Sequence, residues 1–290
     1  MDVEWDDMKT TLAVVRSGTL AKAAAALGVN YTTIARRITR AETALDLTLF
    51  ERLPAGYVPT DSGLLVAEHA ARMEESQTAL LRELQGQDQT LRGSLVITAP
   101  QLLIGPYLAP VIEAYCQAHP AVDVQVRATN DQLNLHRREA DLAIRISRSP
   151  GDTLTGLRLC AQHQASFANA AWARRIEVNP ERCIDWVVFD GSPEVPKASL
   201  TRYPNARVRL ILDDMAAMVG AAQAGLGVVR TPMFLGRATP GLVQVPVLPP
   251  QSYADIWIVG HPDVWQSAKV TAFREILVPY FRSHRSDFVI

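Results

Sequence analysis

The segment from Tyr31 to Ala41 holds Tyr31, Thr32, Thr33, Arg36, Arg37 and Arg40 and no acidic residue. Guanidinium groups can donate paired hydrogen bonds to guanine O6 and N7 in a DNA major groove, and threonine hydroxyls can reach base edges or phosphate. That chemistry needs a helix that buries one face and offers the other. Ile34, Ile38, Ala41 and Leu45 recur at spacings of four, three and four, a buried stripe that leaves the arginines and threonines mainly outside it. Upstream, Gly18 to Arg40 reads GTLAKAAAALGVNYTTIARRITR. Thr19 can cap a short alanine-rich helix, Gly28 supplies its left-handed end, and Asn30 can cap the second helix. Two helices about so tight a break form a helix-turn-helix whose second member is expected in the major groove. The bland alternative is a surface helix of an α-helical bundle with solvated arginines.

Met8, Leu12 and Val15 give a third helical stripe that ends at Gly18. After the pair comes LFERLPAGYVPT, with extended segments Leu49 to Arg52 and Tyr57 to Thr60 about the 54–56 turn, which reads as a β-hairpin wing. Arg52 sits there as a candidate phosphate contact, and an exposed arginine beside a turn is the equal alternative. From Asp61 to Leu84 a long helix carries Val66, Ala70, Met73, Gln77, Leu80 and Leu84 in a four-three repeat. Such a stripe suits pairing with a second copy, although ordinary core packing makes the same pattern. Gly86 to Gly93 is a polar linker.

The chain has 290 residues, 48% of them apolar, which suffices for several cores. A net charge of -1 means that any nucleic-acid signal is local, so one such unit would bind weakly and dimerisation would multiply its affinity. Cys116, Cys160 and Cys183 form no CxxC pair, and the six histidines are dispersed, so no disulfide framework and no metal site is expected. The start MDVEWDDMK lacks the pattern of a signal peptide, and the uncharged stretch from Gly93 to Ile112 is broken by Pro100, Pro106 and Pro110. A cytoplasmic protein without a membrane span is expected.

Beyond Arg92 strands alternate with helices. Strands are expected at Leu95 to Ala99, Val122 to Ala128, Asp141 to Ile146, His163 to Ala168, Trp186 to Phe189, Val208 to Leu212, Gly227 to Arg230 and Ile256 to Val259. Helices are expected at Gly105 to Ala118, Gln132 to Glu139, Asp214 to Ala224 and Val264 to Phe281. This alternation implies βαβ units, mostly parallel sheets and two lobes.

These residues resemble the LysR-type transcriptional regulators over nearly the whole chain. The motifs are Gly18-Thr19-Leu20, Ala23-Ala24, Leu27-Gly28-Val29, Thr33-Ile34-Ala35-Arg36-Arg37-Ile38, Leu49-Phe50-Glu51-Arg52 and Thr60-Asp61-Ser62-Gly63. Ala140-Asp141-Leu142-Ala143-Ile144-Arg145 and Ala224-Gly225-Leu226-Gly227-Val228 resemble the effector-domain signatures. Ala35, Ala41 and Asp46 depart from the serine, leucine and glycine frequent there. The resemblance implies an α+β multi-domain chain: a winged helix-turn-helix, a long linker helix that pairs two subunits, and a two-lobed α/β effector domain like a periplasmic binding protein. It further implies a homodimer or homotetramer on a double-stranded DNA operator, responsive to a small molecule held between the lobes. The expected limits are 1–60 for the DNA-binding domain, 61–85 for the linker helix, 86–93 for the hinge and 94–290 for the effector domain. Within that domain, lobe I covers about 94–161 and 264–290, and lobe II about 162–263.

The expected DNA-binding residues are Asn30, Tyr31, Thr32, Thr33, Arg36, Arg37, Arg40 and Arg52. Open α/β sheets bind ligands where the carboxyl ends of their strands meet loops and helix N-termini. Those ends and their neighbours give Pro100, Gln101, Thr129, Asn130, Arg145 and Ser147 as expected effector contacts, and the positive charge of Arg145 or Arg148 suits a small carboxylate. No cofactor is expected. An enzyme fused to a regulatory helix-turn-helix is the rival reading, but GxSxG, HExxH and P-loop motifs are lacking, and Gly225-Leu226-Gly227 follows a helix and precedes a strand, the reverse of a dinucleotide fingerprint. A secreted solute-binding protein is opposed by the N-terminal ninety residues.

Overall fold

The computed structural model describes residues 3–53, 56–86, 89–129, 140–149, 154–178 and 183–290. The chain divides into two compact units, Met1–Leu84 and Gln85–Ile290. No described helix is long and apolar enough to cross a membrane.

The first unit contains α1 (Trp5–Ser17), α2 (Leu20–Leu27), α3 (Tyr31–Leu45), the hairpin β1 (Phe50–Leu53) and β2 (Gly56–Pro59), and α4 (Asp61–Gly86). The Thr19 hydroxyl accepts from the Lys22 N–H at the start of α2, and Gly28 takes the left-handed conformation at its end, both as the residue types dictate. Asn30 does not cap α3: it holds the cap position with extended backbone, but its side chain makes no capping bond. Its conformation alone ends the turn, which frees the amide for other partners. Ile34, Ile38 and Ala41 pack with Val14, Leu20, Ala23, Leu49 and Phe50 in one core, and Leu45 lies at its margin. Asp46 ends α3 with φ +54°, the described non-glycine residue with a left-handed backbone, and the Leu47 N–H closes the cap on the Glu42 carbonyl at 3.1 Å.

Two contacts fix the wing and the next helix to α3. One Glu42 carboxylate oxygen accepts from the backbone N–H of Leu49 at 2.9 Å and of Phe50 at 3.3 Å, so α3 itself holds the entry to β1. The Thr60 hydroxyl donates to the Thr48 carbonyl and accepts from the Gly63 N–H, capping α4. At Gly63 a Cβ would lie 2.1 Å from the Leu49 carbonyl oxygen, so only glycine allows this approach. Farther along α4, Ala67 and Ala70 pack with Leu12 of α1, whereas Met73, Leu80, Leu81 and Leu84 are exposed within the unit. The four-three repeat therefore serves the core at its start and an open apolar face at its end.

In the second unit, β3 (Gly93–Ala99) leads into α5 (Gln101–Leu103), a π turn (Ile104–Leu108) and α6 (Ala109–Ala118), followed by β4 (Val122–Ala128), β5 (Leu142–Ser147) and β6 (Thr155–Cys160). The chain then builds a second lobe from β7 (His163–Asn169), α7 (Ala170–Val178), β8 (Asp185–Phe189), α8 (Lys197–Leu200), β9 (Arg207–Leu212), α9 (Met215–Gln223), β10 (Val228–Pro232), α10 (Met233–Ala238), β11 (Leu242–Gln244) and β12 (Gln251–Ser252). It returns through β13 (Asp255–Gly260) to α11 (Pro262–Trp265), α12 (Ala268–Ser283) and α13 (Arg285–Phe288). The first sheet has the order β4-β3-β5-β13-β6, and the second β11-β7-β10-β8-β9 with β12 on β7.

These sheets are mixed, not mostly parallel. β13 pairs antiparallel with both β5 and β6, and β10 and β11 pair antiparallel with β7. For the same reason Asp255–Gly260 belongs to the first lobe and not, as its place in sequence suggests, to the second: buried Ile256, Ile258 and Val259 complete the first sheet. The helix expected at Gln132–Glu139 lies outside the described residues.

Replacing Asp46 with glycine should remove the left-handed penalty and raise the stability of the first unit by about 1 kcal/mol, read as a higher denaturation midpoint. Glu42→Ala should strand two backbone donors and lower stability by about 2 kcal/mol in the same measurement.

Candidate nucleic-acid interface and ligand cavity

On α3 the three arginines have different partners. Arg40 meets Asp7 of α1 through two parallel bonds, Nε to Oδ2 at 2.7 Å and Nη2 to Oδ1 at 2.6 Å, with Glu4 also 2.6 Å from Nη2. The Asp7 side chain is 1% exposed, so this fork neutralises a carboxylate removed from water. The hydrogen bond to Asp7 holds the Arg40 pKa above its usual value. Arg37 pairs with Asp6. Arg36 is exposed, and among the described residues it makes no ion pair.

Arg36, Arg40 and Arg52 share a groove with Ala35, Thr39, Thr43 and Tyr57, between α3 and the wing. Arg52 is held there loosely, its guanidinium 5.9 Å from the Tyr57 ring centre and 3.9 Å from Glu42. Asn30, Tyr31 and Thr32 are exposed at the start of α3, and Thr33 is half-buried. A helix start with open backbone donors, hydroxyls and a solvated arginine, flanked by a cationic groove, matches the charge and reach of a duplex groove. The acids of α1 that consume Arg37 and Arg40 were visible in the sequence as an acidic N-terminus, but their pairing with α3 required the fold.

Between the two lobes of the second unit lies a cavity of about 610 Å³. The first lobe contributes Thr98, Pro100, Leu102, Thr129, Ile144 and Arg145; the second contributes Gln164, Trp186, Met218, Arg230, Pro232 and Phe234. Glu194 and Asp213 also line it, and both are exposed at its mouth. Burial lowers the pKa of both Arg145 and Arg230, the signature of cations withdrawn from water.

Of the expected effector contacts, Pro100, Thr129 and Arg145 line this cavity. Gln101 does not: its amide donates across the lobes to Asp214 Oδ2 at 3.1 Å, and Asp214 in turn caps α9 by accepting from the Ala217 N–H. Ser147 does not either, because its hydroxyl closes a local turn onto the Ser149 carbonyl at 2.6 Å. Asn130 lies outside the described residues. Sequence reasoning missed Arg230, although a lone charge within Val-Val-Arg-Thr-Pro, an otherwise apolar strand, was the signal for it. Among the described residues no group of three or more His, Cys, Asp or Glu side chains is placed to hold a metal.

Two family models match the chain: "Bacterial regulatory helix-turn-helix protein, lysR family" over residues 5–64 and "LysR substrate binding domain" over residues 88–282. The Mau operon transcriptional activator of Paracoccus denitrificans is 26% identical over 262 residues, 90% of each chain. The transcriptional activator AmpR of Rhodobacter capsulatus is 27% identical over 247 residues, 81% of each. Among solved structures, the full-length Vibrio cholerae virulence activator AphB has a TM-score of 0.59 at 18% identity, covering 96% of this chain and 99% of that one. The LysR-type regulator CrgA of Neisseria meningitidis has a TM-score of 0.54 at 18% identity, covering 95% and 98%. With the paired helices, wing and bilobed α/β unit in place, the chain belongs to the LysR family of bacterial transcriptional regulators, DNA-binding proteins with an effector-binding domain.

Proposed function

We propose that Arg36 is the base-reading cation of this regulator and that its effector is a small organic acid. The observation that carries the first part is the division of labour on α3. Arg37 and Arg40 are committed to Asp6 and Asp7, which leaves Arg36 to extend from the face opposite Ile34 and Ile38. Tyr31, Thr32 and Thr33 then address base edges beside it. Asn30 and Arg52 address phosphate, and Arg37 and Arg40 add positive charge near the backbone while staying bound to α1. The exposed Met73, Leu80, Leu81 and Leu84 of α4 support pairing with a second copy, which brings two heads onto one operator. The bilobed unit then senses the effector through Pro100 and Thr129, just past first-lobe strands, and Arg145 of β5, with apolar walls from both lobes.

Binding to the operator should require an inverted repeat with about one helical turn between half-site centres. Arg36→Ala should weaken specific binding tenfold or more, as loss of a bidentate guanine contact does, and leave the thermal midpoint within about 1 °C. Arg37→Ala should weaken binding less, lower the midpoint and flatten the salt dependence. Fluorescence anisotropy on a footprinted site, paired with thermal melts, measures both. Unchanged affinity in Arg36→Ala would overturn the assignment.

A further inference from the structure

Three buried polar atoms on one face of the second-lobe sheet have no hydrogen-bond partner among the described residues: Ser166 Oγ, Trp186 Nε1 and Arg230 Nη1. They occupy adjoining strands. Arg230 of β10 is the register partner of Ser166 on β7, and Val228, two residues before it on the same face, is the partner of Trp186 on β8. Gln164, two residues before Ser166, shares that face and lines the cavity with Trp186 and Arg230. Arg230 is oriented by one bond, Nη2 to the Pro249 carbonyl at 3.1 Å, which leaves Nη1 sealed from solvent and unmatched.

Each of these groups is a hydrogen-bond donor, and the indole N–H and guanidinium can be nothing else. Buried donors are nearly always satisfied, and a cation withdrawn from water is costly until an anion joins it. The carboxylates in the cavity, Glu194 and Asp213, stand exposed at the mouth and neither is within ion-pair distance of Arg230. Desolvation alone lowers the Arg230 pKa, in keeping with a guanidinium that has no acidic neighbour.

We infer that Arg230, with Trp186 beside it, forms an oxyanion subsite in the second lobe, which takes the carboxylate of an organic acid held in the cavity. This rests on the reading of the cavity as the effector site and adds to it the group that sets the charge requirement. Arg145 remains the polar contact of the first lobe, so the acid touches both lobes at once.

The full-length chain tests this by thermal melts with millimolar benzoate and hexanoate, against the neutral benzamide and hexanamide, in wild type, Arg230→Met, Arg230→Lys and Arg145→Met. At least one acid should raise the wild-type midpoint and its amide should not. Arg230→Met should abolish that gain and Arg230→Lys should keep part of it. Without ligand, Arg230→Met should melt about 2 °C or more above wild type, because an uncompensated buried charge is gone. A gain from acids that survives Arg230→Met but not Arg145→Met overturns the subsite and leaves the organic-acid reading standing. Stabilisation by amides alone, or by none of the probes, overturns both, and a lower unliganded midpoint in Arg230→Met marks the arginine as structural and overturns the subsite.

Discussion

A charge taken out of water must be matched, and both functional regions of this protein are organised by that constraint. In the DNA-binding unit the match is internal. Asp7 is sealed beneath α3, Arg40 supplies a two-pronged partner, and Arg37 is drawn to Asp6 beside it. The two pairs lock α1 against α3. They also sort three neighbouring arginines of equal chemistry into two that hold the head together and one that faces outward. In the effector unit the same requirement is left open at Arg230 among the described residues, and there an acid from outside the chain would meet it.

The elements that carry local signals were legible from the sequence. Thr19, Gly18 and Gly28 announced the ends of α1 and α2, and the Ile34, Ile38, Ala41 stripe announced the buried face of α3, because caps and helical periodicity depend on near neighbours in the chain. Asp46 shows the converse. An aspartate in place of glycine obscured the end of α3, yet the carbonyls of Glu42 and Thr43 still demanded the left-handed turn. What the sequence concealed was non-local. Thr155–Cys160 carries Gly156 and Arg158 and gave no strand signal, but as β6 it pairs with β13, about a hundred residues away.

The candidate site divides in the same manner. Pro100 and Thr129 line the cavity because they follow the carboxyl ends of β3 and β4, where loops converge, and Arg145 lines it from within β5. Gln101 and Ser147 obeyed that rule but were claimed by nearer partners, Asp214 and Ser149. Arg230 escaped it because it projects from the face of a strand and not from a strand end, a placement that only the register of β7, β8 and β10 reveals.

The chain passes between the lobes twice, near Ala161 and again near Ala254. The two passages are stitched together: the Gln162 amide donates to the Ala254 carbonyl at 2.5 Å, and the Tyr253 N–H donates to the Gln162 carbonyl at 2.9 Å. The C-terminal segment adds a third join between the lobes: Arg237 Nη1 donates to the Ser286 and Val289 carbonyls, and Phe234 packs against Tyr107 and Phe288. Gln101 and Asp214 also meet across the lobes, through one exposed bond. A guest molecule that altered the angle between the lobes would therefore work against several joins at the strap and at α10, and against a lone exposed bond at Gln101.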